Sequence, residues 1–195
     1  MKTENYINLV DERKEYFDIR KFYTDNKNGS TKAYTTQSGT LIEEMAGEEG
    51  SWFASYSTKM GSCFSVYKEY NHKGWIHKKW AAFRNRGAAV GIKYEFNEDD
   101  GILSVSENME KNFVFTPEEV IRYCLEHDIK LFEKGCYINR YSDHAANEFL
   151  YSISYVGMYN KSFGKIRILL NGQTGETEKV TLQKSDIPEI LFIKE

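Results

Sequence analysis

The sequence is short of chain breakers and of the residue sets that mark catalysis. Only 2 of its 195 residues are proline, beside 14 tyrosines, 12 phenylalanines and 3 tryptophans. That balance favours strands and argues against disorder. No apolar run approaches the roughly 18 residues of a membrane-spanning helix, and the opening MKTENYINLVDERKEYF lacks the apolar core of a signal peptide. The three cysteines, Cys63, Cys124 and Cys136, cannot all pair within one chain and have no zinc-type spacing. Reduced thiols in a cytoplasmic protein are the expectation. Charge of one sign is also lacking. A net −3 gives no global pull towards nucleic acid or an anionic membrane.

Catalytic and cofactor sets are missing in the same way. His72 and His77 lie five apart across a turn, and His127 and His144 are distant, so the three or four ligands of a zinc site are not assembled. Cys124 falls on the apolar stripe of a helix and reads as packed. Cys63 lies in a strand run, and a Cys136/His144 pair is the one thiol–base arrangement to weigh. The acids of GEEG (47–50) and NEDDG (97–101) fall in turns without the alternating ligands of a calcium loop. GAAVG (87–91) and GQTGE lack the spacing of a phosphate cradle. No catalytic residue, metal or cofactor is expected.

What is present starts with a helix at 116–128, TPEEVIRYCLEHD. Thr116 and Glu119 have the spacing of a capping box, Pro117 stands at the first helical position, and Glu118 and Glu119 suit the positive end of the dipole. Val120, Ile121, Cys124 and Leu125 form one apolar stripe. Around it, aromatic or aliphatic residues alternate with polar ones between turns. The segments run from YFDIRKFY (16–23) through WIHKKWAAF to IKLFEKGCYINRY (129–141), EFLYSISYV (148–156), GKIRILL (164–170), EKVTLQ (178–183) and a closing IPEILFIKE. In EFLYSISYV the aromatics and Ile153 take one face, and Ser152 and Ser154 the other. The expected fold is α+β: an antiparallel, twisted sheet of hairpins, about eight to ten strands, with one main helix at 116–128 packed on it. Residues 1–15 form an arm and 16–195 one domain, divisible into a β-meander at 16–110 and an αβββ part at 111–195.

A weak repeat of aromatic, polar turn, Gly and aliphatic recurs as Tyr34/Gly39/Leu41, Tyr70/Gly74/Ile76 and Phe96/Gly101/Leu103. Glycine takes the positive φ of the turn while the aromatic packs across the hairpin. The units resemble the MORN-like hairpin repeats of a bacterial antitoxin family. Residues 116–180, with the TPEEV helix, the strand EFLYSISYV and KIRILLNGQTGE, resemble the PepSY domain. That likeness implies a small, non-catalytic module that is inhibitory or binds protein.

The sharpest charge feature is 68–93, where Lys68, Lys73, Lys78, Lys79, Arg84, Arg86 and Lys93 face Glu69 alone, with Trp75 and Trp80 among them. Cations beside aromatics suit single-stranded nucleic acid. Alternation puts Trp75, His77 and Lys79 on one face and Ile76, Lys78 and Trp80 on the other, which mixes the two kinds and favours a solvated hairpin. Interfaces favour aromatics and Arg, so the expected partner-binding residues are Trp52, Trp75, Trp80, Lys78, Lys79, Arg84 and Arg86. The leading expectation is a non-enzymatic bacterial binding protein of the immunity or antitoxin kind that occludes a protein partner. A nucleic-acid-binding module using 68–93 is the alternative. A third reading is a sheet holding a small molecule or lipid in an aromatic-lined cavity above about 300 Å³.

Overall fold

A computed structural model describes residues 5–26, 29–133, 135–143, 147–184 and 188–194. They fall into two compact units. One runs to Ala82 and resumes over Ala89–Met109; the other holds Phe83–Ala88 and the chain from Glu110 onward. The protein is mostly antiparallel β-structure with two α-helices, broadly α+β. The strands form two sheets, where one of eight to ten strands was expected.

The N-terminal unit is a meander. Strands β1 (Thr31–Thr35), β2 (Thr40–Ala46), β3 (Trp52–Lys59), β4 (Phe64–Asn71), β5 (Ile76–Phe83), β6 (Ala89–Phe96) and β7 (Leu103–Asn108) each pair with the next. The three aromatic–Gly–aliphatic units are hairpin tips. Gly39, Gly74 and Gly101 have φ of 81°, 87° and 65°, a region open to Gly without a steric cost. Phe96 lies opposite Leu103, and Tyr70 and Ile76 share a core cluster. Tyr34, however, faces Ile42 across its hairpin, with Leu41 on the next position.

Residues 16–23 are not a strand. Tyr16 makes a single bridge to Trp75, and Ile19–Asp25 form α1. The Asp18 side chain caps it by accepting from the Lys21 N–H at 2.9 Å. Phe17 before the cap meets Phe22 inside the helix, rings 5.6 Å apart, which is a hydrophobic staple. Alternation read as a strand was the two ends of that staple. Phe17 also stacks on Phe53 at 5.0 Å and approaches Tyr70 at 5.2 Å, so the segment completes the core of Phe22, Phe53, Tyr70, Ile76 and Phe96.

In the C-terminal unit α2 spans Pro117–Glu126. Its capping box closes both ways: Glu119 N–H to Thr116 Oγ1 at 3.3 Å, and Thr116 N–H to the Glu119 carboxylate at 2.7 Å. It stops before 128 because Asp128 turns left-handed, φ 55°, and the Ile129 N–H bonds back to the Cys124 carbonyl at 2.8 Å. The buried stripe is Pro117, Val120, Ile121 and Cys124, while Leu125 drifts out to 42% exposure. Of 129–141 only the end is strand: β8 (Tyr137–Asp143), followed by β9 (Glu148–Tyr159), β10 (Ser162–Asn171), β11 (Thr177–Gln183) and β12 (Glu189–Ile193), neighbours in that order. Ile138, Ile153, Ile166, Ile168, Val180 and Leu182 are buried on one face; the residues between them take the other.

The Thr116→Ala chain loses the cap and is less stable by about 1 kcal/mol. A urea melt should show a lower midpoint at unchanged slope; an unchanged midpoint would contradict the role given to the box.

Candidate functional site

Of the seven residues expected to bind a partner, Lys79 is excluded by burial. Its side chain is 1% exposed, and its ammonium donates to Glu15 Oε1 at 2.7 Å and the Arg13 carbonyl at 2.6 Å, with Asp11 at 3.3 Å. Trp75 is covered in turn: the Lys14 ammonium stands 4.3 Å over its ring and Tyr16 meets it edge-on at 5.3 Å. Trp80 packs on Tyr67 at 4.4 Å, on the face it shares with Lys78. The expected face for Lys79 also fails, because Ile76 and Lys79 are both fully buried although three apart, which breaks strict alternation along β5. Trp52 stays partly exposed at the start of β3, with its indole over Gly47. Arg84 and Arg86 belong to the other unit; Arg84 lies over the Phe132 ring at 5.2 Å and Arg86 occupies a positive-φ turn position.

The lysines of the basic stretch are paired with acids from elsewhere in the chain. Lys68 pairs with Glu15, Lys73 with Asp99 at 3.4 Å, and Lys78 and Lys93 with Glu95 at 3.9 and 2.7 Å. Its five lysines thus each lie within 4 Å of a carboxylate. Exposed pairs of this kind add little stability, and they reduce the positive field that a phosphate backbone would meet.

The cysteines are buried thiols; His144 lies outside the described residues, so the Cys136/His144 arrangement does too. His127 stacks on Tyr123, with ring centroids 4.0 Å apart, at the end of α2. In the N-terminal unit a cavity of about 370 Å³ is lined by Tyr16, Phe17, Phe22, Tyr34 and Tyr70, with Lys32 and Lys68 among its polar groups. It meets the size set for a small-molecule site. Of its three lining cations, Lys32 is paired with Asp25 at 2.7 Å and Lys68 with Glu15, while Lys21 is the third.

The C-terminal sheet offers a different arrangement. A groove of about 460 Å³ crosses its outer face, between Asn139 on β8, Ser152 and Ser154 on β9, Lys165 and Arg167 on β10, and Thr181 and Gln183 on β11. Ser154 lies opposite Arg167, and Arg167 opposite Thr181. Arg167 donates to the Ser152 hydroxyl at 2.9 Å. Among the described residues no carboxylate lines the groove. Arg140, at its wall, is committed elsewhere: it pairs with Glu110 and donates to the Tyr151 hydroxyl at 2.8 Å. No protein-family model, curated protein or solved structure matches the chain. Lys165, Arg167 and the hydroxyls of the groove's described lining suit an anion. Beyond its rim Met158 and Phe163, a cross-strand pair, are 56% and 62% exposed. The signal was present in the alternation of SIS at 152–154 and KIR at 165–167, but sequence did not say that β9 and β10 are neighbours.

Glu15 carries the clearest pH dependence. Burial pushes its carboxyl up, while hydrogen bonds and charge from Lys68 and Lys79 outweigh burial and hold it below the ordinary 4.5. The stabilisation is complete above 4.5 and is lost as pH falls through the lowered folded value. With Trp52 and Trp80 replaced by Phe, Trp75 emission should shift in that acid range as Lys14 and Tyr16 leave its ring. Glu15→Gln should lower stability at neutral pH by about 2 kcal/mol, less than for a fully buried pair, and remove the acid step. Acid-insensitive Trp75 emission in the parent would refute the assignment.

Proposed function

We propose that the protein is a non-enzymatic binding protein, of the immunity or antitoxin kind, which occludes a protein partner with the outer face of its C-terminal sheet. The observation that carries this reading is the exposed pair Met158 and Phe163, with Val156 beside them, next to the cationic groove. Clustered exposed apolar side chains rimmed by polar ones mark interaction surfaces, and aromatics with Arg are what interfaces concentrate. In this reading α2 covers the opposite, apolar face, tied to β11 by Tyr123 and Thr177 hydroxyls 3.0 Å apart. A helix followed by a run of antiparallel strands also supports kinship of 116–180 with the PepSY domain, and the glycine-turn hairpins support kinship of the first part with MORN-like antitoxins. A bacterial cytoplasmic setting goes with that assignment. Among the described residues no helix is long and apolar enough to cross a membrane.

The nucleic-acid reading of 68–93 is the weaker one, since the lysines there face carboxylates. Phe163→Asp should lose a partner captured from a lysate of the source organism by about tenfold or more, the loss of an interface anchor. Lys78→Glu should retain it. Capture unchanged by Phe163→Asp would rule out this face.

A further inference from the structure

We infer that the groove on the outer face of the C-terminal sheet takes an extended acidic segment of a protein, lying along β10. This rests on the protein-binding reading above and names what the partner presents. Phe163, Lys165 and Arg167 alternate along β10 and share its outer face. Their side chains therefore stand about 7 Å apart, two strand rises. An extended peptide repeats its own alternate side chains at the same interval. Such a segment sets one acid against Arg167, a second against Lys165, and an apolar residue against Phe163 and Met158: an acid-x-acid-x-apolar pattern.

The flanks suit a peptide. Arg167 lies between Ser154 and Thr181, and Lys165 between Val156 and Gln183. Hydroxyls and an amide there can bond backbone groups of the guest. None of these four flanking side chains is aromatic, and the groove's described lining holds one ring, Tyr141 on β8, where a run of stacked bases needs a ring for each. Neither cation has a carboxylate within ion-pair distance among the described residues, whereas the lysines of 68–93 do. Arg167 donates to Ser152, a neutral contact that an incoming carboxylate can join.

The test uses the whole chain and a fluorescein-labelled heptapeptide, SESESLS, read by anisotropy. Saturable binding below about 1 mM is expected, the range two charge-assisted contacts can sustain. SKSKSLS should not bind. The Lys165→Glu/Arg167→Glu chain should lose SESESLS by at least about tenfold and gain SKSKSLS, with an unchanged melting temperature because both side chains are exposed; that reversal is what no structural role would produce. No saturable binding of SESESLS, binding unaffected by the double charge reversal, or tighter binding of an oligothymidylate of equal charge would each overturn the inference. If the peptide fails while Phe163→Asp still abolishes partner capture, the acidic occupant falls and the binding face stands; if both fail, the face falls as well.

Discussion

A buried ammonium cannot be left alone. Removing Lys79 from water costs several kcal/mol unless carboxylates and carbonyls replace its hydration, and the ones that do so, Glu15, Asp11 and the Arg13 carbonyl, all come from the N-terminal segment. Once that segment is strapped across β5, its next residues have few places to go. Tyr16 bridges to Trp75, the Phe17 N–H bonds to the Gly74 carbonyl at 2.9 Å, and Phe17 enters the aromatic core. Gly74 is indispensable at that crossing: it holds φ at 87°, and a side chain there would come within 2.9 Å of the Phe17 carbonyl oxygen. α1 begins one turn later with its staple already seated.

The same requirement redistributes charge. The lysines of a stretch that reads as strongly basic become, once folded, members of local ion pairs in the N-terminal unit. Two cations outside these pairs stand on β10. There Lys165 and Arg167 project from a strand whose alternate residues, Ile166 and Ile168, are fully buried. The fold thus uses the apolar alternation to hold the strand and turns the polar alternation to the outer face.

Local signals were readable and distant ones were not. The capping box of α2 and the positive-φ glycines of the hairpins rest on residues a few positions apart, and the chain shows them directly. The staple of α1 was equally local, Phe17 to Phe22 around Asp18, but a run of alternating aromatics hid it behind a strand pattern. Lys79 was misread for a different reason: its partner Glu15 is 64 residues away, so nothing near it betrays burial. The partial cover of Trp75 is likewise distant in sequence, coming from Lys14 and Tyr16. The alternation of Ser152 and Ser154, and of Lys165 and Arg167, was visible strand by strand. Their convergence needed the β9–β10 register.

The most direct measurement is a two-dimensional amide NMR titration of the intact chain with SESESLS. The account predicts shifts at Ser152, Ser154, Lys165, Arg167 and Gln183, and none across 68–93. Shifts centred on Lys73, Lys78 and Arg86, with the β10 amides unmoved, would contradict it.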